Sequence, residues 1–171
     1  MRYRQLGDSD LRVSEICLGT WTTFGGSLDD EVAIALVDAA FDAGINFFDT
    51  ANIYSEGRSE EVLGRALAAR PRDSYVLATK LRATAPDGGC GVSREQVLHQ
   101  IDQSLERLGA EFVDLYQCHW WDEEVPLAET LEAMTEIVDP GQPLSPEGLR
   151  RDIRFDAFLL VEPGRGRSGR E

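Results

Sequence analysis

Four strand-and-helix units follow one another along this chain, and this order constrains its fold more than any other feature. Each unit opens with a short apolar segment typical of a buried strand and continues with apolar residues at the spacing of an amphipathic helix. The apolar segments are 16–21, 45–48, 75–79 and 112–118, and the helical patterns begin at Asp29, Ser59, Ser93 and Pro126. Strands that alternate with helices predict parallel pairing, right-handed crossovers and an α/β fold.

The number of units is half of what a closed barrel requires. A hairpin is predicted ahead of the first unit, with strands at 2–6 and 11–16. A closed βα barrel needs eight units and roughly 250 residues, whereas this chain has four units and 171 residues. From Asp139 onward Pro and Gly are frequent, which is typical of a connector, and residues 154–162 have the composition of one further strand. The Gly- and Arg-rich end at 163–171 is predicted to be flexible.

The charge of the chain excludes several classes of partner. There are 17 Lys and Arg residues against 31 Asp and Glu residues, which gives a formal net charge of −14. We therefore expect neither a nucleic-acid partner, which needs a basic face, nor an anionic membrane surface. The first ten residues lack the apolar core of a signal peptide, and no apolar run approaches the roughly 18 residues of a spanning helix. A cytoplasmic protein is expected.

The cysteines indicate neither disulfides nor a metal centre. Cys17, Cys90 and Cys118 cannot all pair within one chain and do not have CxxC spacing, so they are interpreted as reduced thiols. Cys118 stands beside His119, but two adjacent ligands without a second cluster are weak evidence for a metal. No metal site is predicted.

Polar side chains follow the predicted strands where each strand ends. Asp49 and Tyr54 come after the second strand, Lys80 after the third and His119 after the fourth. Each residue alone has an ordinary structural interpretation, as a cap, a packed loop aromatic, a solvated strand end or a rim residue. Lys80 is the only lysine in a chain that otherwise uses Arg, and all four residues belong to the strand ends where α/β barrels place their active sites. Together they predict a site.

Five segments of the chain resemble the aldo-keto reductases. The resemblance is closest to the bacterial branch that is similar to potassium-channel beta subunits, and it runs in order from about residue 2 to residue 138. The segments are 18–21 (LGTW), 43–51 (AGINFFDTA) with Tyr54, 59–60 (SE) with 63–64 (LG), 78–80 (ATK) and 114–119 (DLYQCH). The resemblance implies the N-terminal half of a (β/α)8 TIM barrel, here a hairpin with about four βα units, and a divergent C-terminal tail.

The resemblance also implies a chemistry, the NADPH-dependent reduction of aldehydes or ketones. Asp49, Tyr54, Lys80 and His119 match the catalytic tetrad of the family. Tyr54 would be the general acid, and the Lys80 ammonium, held by Asp49, would favour its phenolate form. His119 would orient the substrate oxygen or assist the proton.

Further site residues are implied by the same resemblance. The expected cofactor-binding residues are Gly19, Thr20, Trp21 and Asp49. The expected substrate-binding residues are Trp21, Tyr54, His119 and Trp120. Trp21, Trp120 and Trp121 are expected to form an aromatic wall, and for Trp120 and Trp121 the alternative interpretation is packing at the rim.

The sequence departs from the family after the fourth unit. The family continues with a fifth strand that ends in a Ser-Asn pair, and with loops that contact the NADPH phosphates, but nothing aligns from Leu144 to Glu171. The expected organisation is therefore a half barrel at 1–138 and an unrelated connector and tail at 139–171. A half barrel would expose the inward faces of its strands, expected at Leu18, Phe47, Leu77 and Leu115, and two unpaired edges.

Two function classes follow from this organisation. The first is an oxidoreductase with a complete tetrad, whose cofactor is held by a second chain or weakly by this one. A second copy of the chain or a complementing chain would cover its open side. The second is a non-catalytic remnant of a truncated gene, or a binding module, that keeps the rim residues and lacks most of the cofactor site.

Overall fold

The strands that follow the hairpin form one parallel sheet. The computed structural model describes residues 1–81, 91–120 and 122–138. In the hairpin, β1 (Tyr3–Gln5) pairs antiparallel with β2 (Arg12–Ser14). The sheet has the order β3 (Leu18–Gly19), β4 (Phe47–Asp49), β5 (Val76–Leu81) and β6 (Leu115–Cys118), and neighbouring strands are parallel. The predicted series of parallel strands is confirmed; β3, β4 and β6 are shorter than their apolar segments, and β5 is one residue longer than the segment 75–79.

Four helices connect and follow these strands. They are α1 (Asp30–Asp42), α2 (Arg58–Leu67), α3 (Arg94–Leu108) and α4 (Leu127–Val138). The predicted capping box is present, because the Ser93 side chain accepts a hydrogen bond from the Gln96 backbone N–H. Gly109 ends α3 with a φ of 60°, a left-handed conformation that favours glycine. In the described part of the chain no helix is long and apolar enough to cross a membrane.

The register decides which residues face the helices. Leu18 pairs with Phe48, and Phe48 pairs with Leu77, so these three side chains form one row across the sheet. Phe48 and Leu77 belong to the apolar core formed with the helices, and Leu18 packs against that core. The expectation that Leu18 and Leu77 face inward is therefore wrong, because the two-residue period of each strand directs them outward.

The other row of residues faces the inside of the half barrel. Asp49 pairs with Ala78, Ala78 with Leu115, and Lys80 with Gln117. Leu115 lies in this inward row as expected but is only 4% exposed, so its predicted exposure is wrong. The inward row brings Asp49 and Lys80 to the same side of the sheet.

Gly64 allows α2 and α3 to approach closely. A Cβ added at Gly64 would lie 2.2 Å from the carbonyl oxygen of Leu108, the last residue of α3, and 2.6 Å from its carbonyl carbon. Backbone atoms cannot rotate away as a side chain can, so one helix would have to shift.

We expect Gly64→Ala to lower the free energy of unfolding by about 1–3 kcal/mol, the usual cost of overpacking. This loss is opposed by the higher helix propensity of Ala, about 1 kcal/mol. Urea unfolding followed by circular dichroism measures the effect. Glu61→Ala, at an exposed position of the same helix, is the matched control and should change stability by about 0.5 kcal/mol or less. An equal effect of the two substitutions would contradict the role assigned to Gly64.

Candidate active site

Three parallel strands deliver the predicted polar residues to one edge of the sheet. Asp49 is the last residue of β4, Lys80 lies near the end of β5, and His119 follows β6 directly. Tyr54 begins a short helical turn, Tyr54–Gly57, between β4 and α2. The structure therefore brings all four residues of the predicted tetrad together at the carboxyl ends of the strands.

Lys80 is the centre of this cluster. Its ammonium donates hydrogen bonds to Asp49 Oδ1 at 2.5 Å, to the Thr50 carbonyl oxygen at 2.8 Å and to Tyr54 Oη at 3.3 Å. The lysine side chain is 12% exposed, so water competes little for these three hydrogen bonds. A compact ammonium with three donors can satisfy three acceptors in different directions, which the flat guanidinium of Arg does less well. This geometry gives a physical reason for a lysine at position 80.

Burial sets the protonation behaviour of the groups around Lys80. Burial raises the pKa of the Asp49 carboxyl, and the Lys80 ammonium opposes this by lowering it. Burial, with a smaller contribution from the Asp49 charge, raises the pKa of the nearby Cys17 thiol to about 12. Burial also raises the pKa of Cys118, to about 11. Both are free thiols that keep their protons near neutral pH, while Cys90 lies outside the described residues.

An aromatic pocket lies in front of Tyr54. The Tyr54 ring stacks on Trp21 with a centroid distance of 6.3 Å and meets His119 edge-on at 5.6 Å. Trp21 and Trp120 are 70% and 61% exposed, so their rings border open space. The pocket has a volume of about 450 Å³ and is lined by Trp21, Thr22, Ile53, Tyr54, Ser55, His119 and Trp120. Trp121 lies outside the described residues.

Of the residues expected to face a cofactor, Gly19 borders open space and Thr20 is buried. Gly19 pairs with Asp49, and a Cβ at Gly19 would meet nothing within 4 Å, so this strand end borders open space. Thr20 is fully buried, and its hydroxyl donates to Thr50 Oγ1 at 2.9 Å and accepts from Ser59 Oγ at 2.8 Å. Its side chain therefore stabilises the base of the site rather than lining the pocket.

Sequence reasoning missed the contributions of Thr50 and Ser55. Thr50 supplies a backbone carbonyl to Lys80, a role that any residue type can fill and that leaves no signal in the sequence. Ser55 lines the pocket, and its position directly after Tyr54 is the one signal that could have found it.

A second cavity lies away from the Lys80 cluster. The larger cavity, about 620 Å³, is at the opposite ends of the strands and is lined by residues such as Asn46, Arg72 and Asp114. Among the described residues, no three His, Cys, Asp or Glu side chains are grouped so that they could hold a metal ion.

The sequence model of the Aldo/keto reductase family matches residues 15–144, more than half of the chain. The chain belongs to the aldo/keto reductase family. This aldo/keto reductase chain is 41% identical over 145 residues to a probable voltage-gated potassium channel subunit beta of Oryza sativa subsp. japonica. The aligned part is 82% of this chain and 44% of the rice protein. The resemblance seen in the five sequence segments is thereby confirmed.

Solved structures of the family share the fold. A crystal structure of a thermostable aldo-keto reductase in complex with the inhibitor epalrestat matches with a TM-score of 0.75 and 32% identity, over 93% of this chain and 53% of that one. The holo form of an aldo-keto reductase from Bacillus halodurans matches with a TM-score of 0.76 and 34% identity, over 93% of this chain and 50% of that one. The aldo/keto reductase chain thus has part of the TIM-barrel fold and spans about half the length of these relatives.

Proposed function

We propose that this chain carries the catalytic residues of an NADP-dependent aldo/keto reductase acting on an aldehyde or a ketone, with Tyr54 as the general acid. One observation carries the proposal: the Lys80 ammonium contacts the Asp49 carboxylate and the Tyr54 hydroxyl at the same time. An acid catalyst must release its proton at the right moment, and a positive charge beside a phenol stabilises the phenolate left behind.

Each side chain of the cluster has a separate role in the proposed reaction. NADPH, when bound, supplies a hydride to the carbonyl carbon, and negative charge then develops on the carbonyl oxygen. Tyr54 donates its hydroxyl proton to that oxygen, and Lys80 stabilises the phenolate from 3.3 Å. Asp49 and the Thr50 carbonyl hold the ammonium in place. His119, in edge contact with Tyr54, orients the substrate oxygen.

The described residues fit the reacting end of NADPH. The open space at Gly19, next to Asp49 in the sheet, leaves room for a flat ring at the strand ends. Trp21, which is 70% exposed, offers an aromatic surface beside it. These residues would hold the nicotinamide end close to Tyr54.

Three cationic side chains that could contact the NADPH phosphates already have acidic partners. Lys80 is paired with the Asp49 carboxylate. Arg58 and Arg94, which begin α2 and α3, are paired with Asp30 and Glu136. Phosphate binding therefore depends on residues outside the described part or on another chain.

We further propose that a second copy of the chain covers the open side. Among the described strands, β3 and β6 each have one neighbour, and the helices beside these edges expose apolar pairs one turn apart. These pairs are Val32 and Leu36 on α1, and Leu127 and Leu131 on α4. Four strands from each of two copies make eight, the number of a closed barrel. A two-fold axis would place β6 of each copy beside β3 of the other.

The experiment is a titration with NADPH, on size-exclusion fractions whose mass is measured by light scattering. We expect saturable binding by NADPH fluorescence, and NADPH oxidation that requires an added aldehyde or ketone, both in a fraction of twice the 19.0 kDa chain mass. NADH is the matched control, because it lacks the 2′-phosphate and should bind more weakly.

Two other outcomes would each reject one of these proposals. Absence of binding at millimolar NADPH would reject the oxidoreductase and leave a binding module that keeps the rim residues. Saturable binding and turnover by the monomer would reject the second copy as a requirement and retain the reductase.

A further inference from the structure

The turn that carries Tyr54 has an unusual backbone. Ser55, Glu56 and Gly57 have φ values of 50°, 56° and 84°, so three consecutive residues adopt the left-handed conformation. Thr22, which lines the same pocket, also has a positive φ of 69°. Residues with a Cβ rarely adopt this conformation, and β-branched Thr does so least readily. Such a backbone persists only where surrounding contacts hold it.

A side-chain hydrogen bond joins these two segments, in addition to the stack of Trp21 on Tyr54. Ser55 Oγ donates a hydrogen bond to the Phe24 carbonyl oxygen at 3.0 Å. Phe24 is 1% exposed and belongs to the apolar core, so its carbonyl is a fixed anchor. The segments also approach closely, since a Cβ at Gly26 would lie 3.1 Å from Ser55 Oγ and a Cβ at Gly25 would lie 2.6 Å from Arg58 Cγ. Small residues at 25 and 26 therefore allow the contact.

Both joined segments line the pocket. Trp21 and Thr22 belong to one segment, and Tyr54 and Ser55 belong to the other. Trp21 is 70% exposed, so little of its indole is held by packing other than its stack on Tyr54. A bond from Ser55 to the segment that follows Trp21 thus limits the movement of both rings.

We propose that Ser55 is a positioning residue, whose hydroxyl ties the Trp21–Phe24 segment to the Tyr54 turn and thereby fixes the Tyr54 hydroxyl relative to Trp21 and Lys80. This role deepens the proposed reductase function and rests on it for its catalytic consequence. Its structural part stands independently, because the order of the Trp21 ring can be measured in the absence of turnover.

The test compares Ser55→Ala with Ser27→Ala. Ser27 Oγ donates to the Thr22 carbonyl oxygen at 2.8 Å, so the control also loses one hydroxyl-to-carbonyl bond, but within a single segment. In the full chain labelled with ¹⁵N-tryptophan, the Trp21 indole signal is assigned with Trp21→Phe. We expect the Trp21 order parameter to fall below about 0.6 in Ser55→Ala and to stay unchanged in Ser27→Ala. An unchanged value in Ser55→Ala would overturn the inference, whether or not the chain is active.

A second variant separates the hydroxyl from the backbone. Ser55→Gly removes the hydroxyl and relieves the left-handed strain, so this variant folds more easily than Ser55→Ala. If the hydroxyl bond positions the rings, both variants release Trp21 and lower kcat about tenfold or more, as small misplacements of reacting groups do. Full Trp21 order and full kcat in Ser55→Gly would overturn the role of the hydroxyl. A wild-type chain with an ordered Trp21 but no turnover would reject the reductase function and would leave the structural role of the Ser55 hydrogen bond unaffected.

Discussion

Tyr54→Phe is expected to lower carbonyl-dependent NADPH oxidation by roughly 10²–10⁴-fold, the usual contribution of a general acid. The substitution removes one oxygen and keeps the ring, so the stack on Trp21 and the edge contact with His119 are retained. Lys80 loses its acceptor at 3.3 Å but still donates to Asp49 and to the Thr50 carbonyl. The loss should therefore appear in kcat, with little change in the Kd for NADPH. Initial rates by NADPH absorbance and a fluorescence titration measure the two quantities separately.

Tyr3→Phe is the matched control for this substitution. The Tyr3 hydroxyl donates to the Gly44 carbonyl oxygen at 2.7 Å in the hairpin region, away from the strand ends that carry Asp49 and Lys80. Its removal also costs one phenolic hydrogen bond, but kcat should be unchanged. Equal rates for wild type and Tyr54→Phe would show that Tyr54 is not the acid, and His119 would then be the next group to test.

The position of the tetrad could be predicted from the sequence because it depends on the order of elements. Parallel strands place their carboxyl ends at the same edge, so residues that follow successive strands must come together. Asp49, Tyr54, Lys80 and His119 satisfy this condition because each follows a predicted strand. The resemblance to the aldo-keto reductases added their expected roles, including that of Tyr54 as the acid.

The remaining features depend on geometry that no residue pattern encodes. The outward direction of Leu18 and Leu77 follows from a register that is set by pairing, and a shift of one residue reverses the two faces. The inward turn of Thr20 depends on hydroxyl partners at Thr50 and Ser59 that are distant in the sequence. The left-handed backbone at Ser55 is held by a carbonyl group from another segment, and backbone groups are the same for every residue.

Arg107→Ala is expected to lower the free energy of unfolding by about 3–5 kcal/mol, the cost of leaving a buried charge without its partner. Glu60, on α2, is fully buried and accepts hydrogen bonds from Arg107 Nε at 2.7 Å and from Thr79 Oγ1 at 2.5 Å. Thr79 lies on β5 and Arg107 on α3, so the carboxylate joins three elements. Without Arg107 the only cation in this contact is lost. Urea unfolding monitored by circular dichroism at neutral pH gives the difference.

Arg58→Ala is the matched control, because it removes an ion pair whose arginine is more exposed than Arg107. Arg58 pairs with Asp30 at 2.7 Å, but its side chain is 51% exposed, so water replaces most of what the pair contributes. Its loss should cost about 1 kcal/mol or less. Similar losses for the two variants would show that burial does not determine the strength of the Glu60 pair.

The double variant Glu60→Gln with Arg107→Met separates charge from packing. Gln keeps an oxygen that can accept the Thr79 hydroxyl, and Met fills most of the volume of the arginine stem, so neither a charge nor a large cavity remains. Because the double variant leaves no buried charge without a partner, and a buried amide that lacks an acceptor costs only about 1–3 kcal/mol, we expect it to recover part of the loss seen in Arg107→Ala. A double variant as unstable as the single one would mean that the shape of the arginine, and not the charge of Glu60, holds α3 against α2. Since Thr79 directly precedes Lys80 on β5, recovery would also show that the strand end carrying Lys80 can be held by neutral groups.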